Sequence, residues 1–164
     1  MLSRGATLSA DGRYRYRLWR RWDRSRPVVA FVMLNPSTAD ARRDDPTIRR
    51  CIGFARSWGF GGLEVVNLFA LRATDPRGLR RARDPIGSRN ARFVRAALSR
   101  SSTVVLAWGA DPLAARQPAD MRFGLSRRRL RCLGLTRAGQ PRHPLYLPRS
   151  ARLVPFRSGR RSAA

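Results

Sequence analysis

The chain has 164 residues, 35 Lys+Arg against 10 Asp+Glu and a formal net charge of +25. That length predicts one domain of roughly 100–200 residues, and a 43% hydrophobic content supplies one core, which excludes a disordered basic tail protein. No lysine occurs, so Schiff-base chemistry, a P-loop lysine and a lysine general base are all excluded.

In chain order, Tyr14, Tyr16 and Leu18 alternate with Arg13, Arg15 and Arg17 after an Asp11-Gly12 turn, which predicts an edge strand or hairpin. Val28 to Leu34 is a continuous apolar run between Pro27 and Asn35-Pro36, the pattern of a central strand buried on both faces. Asp44-Asp45-Pro46 offers a cap and a first-turn proline, and Ile48, Ile52, Phe54, Ala55 and Trp58 follow at helical spacing until Gly59. Leu63 to Leu68 reads as a second strand, Ile86 to Leu98 as a second helix and Thr103 to Trp108 as a third buried strand. A weaker helix within Pro112 to Ser126 precedes a fourth short strand, Leu130 to Leu133. Strands alternating with helices predict a three-layer α/β/α domain over residues 1–156. Its central sheet is expected to be four-stranded and mostly parallel, with the N-terminal edge strand or hairpin added. Residues 157–164 are expected to form a disordered basic tail.

No run approaches ~18 apolar residues and the N-terminus offers no apolar core of a leader, so neither a membrane span nor a signal peptide is expected and the chain is expected to be cytoplasmic. Cys51 and Cys132 stand far apart, and with one histidine they supply too few soft ligands for structural zinc. Both are expected to be reduced, buried thiols, with no metal and no cofactor. The basic residues are all arginines and the only glutamate is Glu64. GC-rich coding turns lysines into arginines but does not remove acids, so the charge excess is partly real. It predicts salt-sensitive attraction to DNA, RNA or nucleotides through counterion release. No obligate protein partner is indicated.

In open sheets with parallel strands, ligands bind at the strands' carboxyl ends. Sorted by strand end, the polar residues are Asn35, Pro36, Ser37, Thr38 and Asp40, then Asn67, then Trp108, Gly109 and Asp111, then Thr136, Arg142 and His143.

These residues sit in runs that carry a resemblance: Phe31 to Asp40, Asp44 to Pro76, Val104 to Gly109 and Cys132 to Pro148 resemble the bacterial and phage family called domain of unknown function 1643. The likeness covers about Tyr14 to Phe156, and Ala110 to Arg129 departs from the family pattern by being short and irregular. The order Asn35-Pro36, Asn67, Trp108-Gly109, His143-Pro144 is more distantly similar to the uracil-DNA glycosylase superfamily, whose mismatch-specific members carry Asn-Pro in the first position. That likeness implies a uracil-DNA glycosylase-like fold and cleavage of an N-glycosidic bond, though folds of this kind host many functions.

Such a reaction leaves an oxocarbenium-like sugar and an anionic base. Asn35 would position a water, since an amide oxygen can accept its proton's hydrogen bond without being a base. Asn67 would pair with a base edge, and neutral His143 would donate to the developing oxyanion while Pro144 fixes its loop. Asp40 remains a candidate general base. Pro36, Ser37, Thr38, Trp108, Gly109 and Arg142 complete the expected substrate contacts. Each has a plainer reading beside it: Asn35 as a turn residue before proline, Asn67 as a strand end, His143 as a hydrogen-bonded loop residue, and the Asp40, Asp44 and Asp45 cluster as caps and arginine partners rather than a Mg²⁺ site. For Asp45 the cap explanation is preferred. A Ser37-His143-Asp40 triad lacks the nucleophile-elbow sequence around Ser37. The expectation is a glycosylase-like enzyme acting on a nucleic acid or nucleotide, the alternative a non-catalytic nucleic-acid-binding module.

Overall fold

The computed structural model describes residues 1–75, 77–116 and 130–156. The tail expected at 157–164, and most of the helix expected within Pro112 to Ser126, lie outside the described residues. Strands β1 (Ser3–Leu8), β2 (Arg15–Arg21), β3 (Val28–Met33), β4 (Gly62–Asn67), β5 (Thr103–Leu106), β6 (Leu130–Cys132) and β7 (Val154–Pro155) alternate with helices α1 (Pro46–Ser57), α2 (Arg77–Arg81) and α3 (Asn90–Arg100). A short 3₁₀ helix follows β5 at Pro112–Arg116, and another occupies Pro144–Tyr146.

The expected central, mostly parallel four-stranded sheet is corrected by the strand order. Among the described residues the chain builds one seven-stranded mixed sheet, β1-β2-β4-β3-β5-β6-β7. Pairs β4–β3, β3–β5 and β5–β6 are parallel, whereas β1–β2, β2–β4 and β6–β7 are antiparallel. The N-terminal hairpin is not an appendage. Leu18 of β2 faces Val65 of β4 and is fully buried, so the hairpin completes one core.

Each face of the sheet has its own core because the side-chain period of a strand is two. Val29, Phe31 and Met33 of β3 pack with Leu63 and Val65 of β4 against Ile48, Cys51 and Ala55 of α1. Ala30 and Val32 pack with Val66, Val104 and Leu106 against Leu79 of α2 and Val94, Ala97 and Leu98 of α3. The Asp45 cap is present: its Oδ1 accepts from the Ile48 N–H at 2.8 Å, and Pro46 opens the helix, a device worth about 1 kcal/mol. Both cysteines are free and buried.

Helix α3 begins at Asn90, later than the expected Ile86. Asp84 Oδ1 takes the N–H groups of Ile86 and Gly87, and Gly87 adopts φ +83°, so the chain turns there instead of starting a helix. The N-terminal alternation is also broken. Thr7 pairs with Arg17 but Leu8 with Arg15, so a bulge at Tyr16 reverses the parity of the strand. Tyr16 consequently stacks on Phe93 of α3 at 5.3 Å, while Arg15 turns to the opposite face and is only 3% exposed.

Candidate functional site

A cavity of about 460 Å³ opens at the carboxyl ends of the adjacent parallel strands β4, β3 and β5, a size in the usual range for small-molecule sites. Asn35, Ser37, Thr38, Asn67, Trp108, Gly109 and His143 line it together. Three of the expected catalytic and substrate-contact residues do not. Pro36 is buried, with its carbonyl accepting from Asn35 and Ala73. Arg142 is exposed, and its backbone N–H is bound to Gly134. Asp40 lies off the lining with its Oδ1 accepting from the N–H groups of Arg42 and Arg43 at 2.7 and 2.8 Å, and those bonds hold its carboxyl below the usual range. An ionised carboxylate tied to its own loop is a turn device and offers no base to the cavity.

Asn67 closes β4, opposite Met33. It is 1% exposed, and neither its Nδ2 nor its Oδ1 has a hydrogen-bond partner among the described residues. Leaving a buried amide unsatisfied costs on the order of 1–3 kcal/mol for each orphaned group, and beside a cavity such an amide can pair with a matching donor and acceptor. The strand end itself is clamped by Asn90, the first residue of α3. Its Nδ2 donates to the Asn67 carbonyl at 2.9 Å and to the Leu68 carbonyl at 3.2 Å.

Asn35 presents the opposite case. Its Nδ2 donates to the carbonyls of Pro36 at 3.0 Å and Ala73 at 2.7 Å. One bond closes on the β3–α1 loop itself at Pro36 and the other pins that loop to the β4–α2 loop at Ala73, and Oδ1 is what the side chain has left for the cavity. The orientation of this amide is therefore that of a fixed acceptor.

The Trp108-Gly109 pair supports the histidine. Trp108 Nε1 donates to Gln140 Oε1 at 2.8 Å, and the Gly109 N–H donates to the Pro141 carbonyl at 2.9 Å, which draws the late loop onto the end of β5. Gly109 sits at φ +81°, which favours glycine, and a Cβ there would lie a tight 3.3 Å from His143 Cβ. His143 Nδ1 accepts from the Leu145 N–H at 3.3 Å, placing the proton of the neutral ring on Nε2. Tyr146, 83% exposed, lines the same cavity with its ring 5.8 Å from the imidazole.

Burial pushes the His143 pKa below 6.5. Its folded-state pKa being the lower one, stability from the neutral ring is present above 6.5 and is lost as pH falls through the folded value, where the unfolded chain binds the proton more readily. On acidification below 6.5 the wild-type melting temperature is therefore expected to fall more steeply than that of His143→Gln. Parallel curves would show that the ring is not held neutral by burial.

Among the cavity residues not selected from sequence as site residues, Asp45 and Arg15 carry charge. Asp45 was read only as a cap; it is one, and it also lines the cavity. Arg15 reaches the lining only through the bulge, and alternation alone assigned it to the wrong face. Asp40, Asp44 and Asp45 do not form a cation site: Asp44 pairs with Arg20 at 2.7 Å, the other two are bound as described, and among the described residues no group of three or more His, Cys, Asp or Glu is placed to hold a metal ion. Among the described residues, too, no helix is long and apolar enough to cross a membrane.

No curated protein and no solved structure matches the chain. One family model does, over residues 15–145, a span from the buried Arg15 to the loop that carries His143. The chain thus belongs to the family described as Protein of unknown function (DUF1643).

Proposed function

We propose that the chain is an enzyme acting on the N-glycosidic bond, or on the base, of a nucleic acid or nucleotide. The observation that carries this reading is the buried, unpartnered amide of Asn67 on the cavity wall. An asparagine amide pairs its donor and acceptor with two adjacent polar atoms on a base edge, so a heterocycle bearing one acceptor beside one donor satisfies both orphaned groups at once. From the distant glycosylase likeness the reading takes the reaction class and the outline of the roles of Asn35, Asn67 and His143.

The fixed hydrogen bonds support the remaining roles by leaving the needed atoms free. The sugar–base bond breaks with its electron pair passing to the base, whose oxyanion accepts from the Nε2–H of His143. The Oδ1 of Asn35 holds a water by one hydrogen, and that water adds to the oxocarbenium carbon. Its proton leaves to solvent, because an amide cannot take it. The +25 charge supports a polyphosphate-bearing substrate on electrostatic grounds.

The test incubates the full chain with single- and double-stranded DNA and RNA carrying uracil, mismatches or damaged bases, and with free nucleotides, and measures abasic sites and released base. Turnover is expected on at least one of them. Asn35→Ala and His143→Ala should each lower it roughly 10²-fold, the scale of one lost transition-state hydrogen bond, and His143→Ala should do so with folding and bulk nucleic-acid affinity nearly intact. Binding with no base release from any substrate would replace the enzyme by a binding module, and variants that turn over like the wild type would remove the assigned roles.

A further inference from the structure

A second group on the cavity wall is polar, buried and incompletely partnered, and it bears a full charge. Arg15 is 3% exposed; its Nη1 donates to the Ala39 carbonyl at 2.9 Å, and its Nε has no hydrogen-bond partner among the described residues. Bulges recur next to binding sites because they re-aim a side chain, and the bulge at Tyr16 gives up regular pairing in order to turn this guanidinium inward. The surroundings leave its charge poorly answered. Burial, with Arg72 and Arg20 nearby, lowers its pKa to about 10 against the opposing pull of Asp45. Asp45 answers part of that charge from a distance, but its Oδ1 accepts from the Ile48 N–H and its Oδ2 from the Ala39 N–H, and neither oxygen is hydrogen-bonded to Arg15. Asp111, the other carboxylate on the lining, is held by Arg80 at 2.9 Å from both oxygens.

We infer that the cavity contains a phosphate subsite in which Arg15 pairs an oxyanion of the ligand, either the phosphomonoester of a free nucleotide or a phosphodiester of a strand. A guanidinium fork matches two phosphate oxygens, and such charge-assisted bonds are about twice as strong as neutral ones. An anion here answers a charge that the protein itself leaves exposed to low dielectric, which a surface arginine in water does not need. The choice of a nucleotide as its bearer rests on the base-reading role of Asn67, whereas the phosphate subsite itself stands on Arg15.

Calorimetric titration of the full chain at constant ionic strength compares a nucleoside, its 5′-monophosphate and a short oligonucleotide. At least one phosphate-bearing ligand is expected to bind about tenfold or more tightly than the nucleoside; the monophosphate identifies the monoester, and a gain confined to the oligonucleotide identifies the diester. Arg15→Gln should erase the gap with nucleoside affinity unchanged, Arg15→Lys should retain only part of it, and the exposed Arg24→Ala should preserve it. Equal affinity for all three ligands in the wild type, a measurement that needs no variant to fold, overturns the proposal, as does a gap that survives Arg15→Gln. If no nucleoside binds but inorganic phosphate raises the melting temperature of the wild type over chloride, and not that of Arg15→Gln, the base-reading function falls and the phosphate subsite stands.

Discussion

Val32→Asp is expected to abolish cooperative unfolding at room temperature, the largest effect of any single substitution considered. Val32 is fully buried at the centre of β3, paired in register with Val66 on one side and Leu106 on the other, and it packs beneath α2 and α3. Its loss removes about 1.5–3 kcal/mol of apolar burial, and the new carboxylate meets no partner in that layer, adding several kcal/mol whether it stays charged or takes up a proton. A domain with a total stability of about 5–15 kcal/mol does not absorb both. Leu106→Ala, on the neighbouring strand, leaves a cavity instead of a charge and should cost about 2–5 kcal/mol while keeping a sharp transition. Thermal unfolding followed by circular dichroism separates the cases. A Val32→Asp melting temperature within a few degrees of the wild type would mean that β3 is not central.

What the sequence carried legibly was periodicity over long stretches. Val28 to Met33 is apolar at every position because both faces of β3 are covered, and a run of that kind has few other uses in a short segment. The Asp45-Pro46 start of α1 was readable for a local reason, since cap and first-turn proline act within three residues of each other. The polar residues after β3, β4 and β5 could be grouped on one rim because parallel neighbours bring like ends together, and Asn35, Asn67, Gly109 and His143 do line one cavity.

The failures have equally specific causes. The number and direction of strands depended on edges: β7 is two residues long and pairs antiparallel with β6, a length at which no period exists to read. One extra residue at Tyr16 inverted the faces of Arg15 and Tyr16, and a bulge has no signature in alternation itself. Charge misled in the same region, because an arginine is counted as surface by default. Here Arg15 and Arg20 are buried, and the only glutamate, Glu64, is 3% exposed between Arg17 at 2.7 Å and Arg100 at 2.8 Å. Asp40 was selected for proximity to the first loop, but the loop's own N–H groups had prior use for its carboxylate.

Replacement of Arg20 by methionine is expected to destabilise the fold by about 3 kcal/mol, toward the lower end for breaking a buried charge pair. Arg20 is fully buried in β2; its Nε donates to Asp44 Oδ1 at 2.8 Å, its Nη1 to the Trp19 carbonyl at 2.8 Å, and its Nη2 to the Asp40 carbonyl at 2.7 Å. One side chain thereby ties the hairpin to the loop that precedes α1, the same loop whose earlier residues Asn35, Ser37 and Thr38 line the cavity. Methionine keeps the aliphatic stem, so the loss reports mainly the guanidinium's hydrogen bonds and the space it filled. Asp44 is 23% exposed in its side chain and rehydrates once its partner is gone, which is why the lower end applies. Asp44→Asn should cost at least as much, since it leaves the fully buried Arg20 charge with carbonyl acceptors only, and the double variant should cost little more than Arg20→Met alone because the two substitutions remove a shared interaction. Urea unfolding of the three variants reads all of these differences. A cost below about 1 kcal/mol for Arg20→Met would show that the loop is held by its own turns, and the cavity wall would then owe its shape to the Asn35 and Asp45 hydrogen bonds instead of to the hairpin.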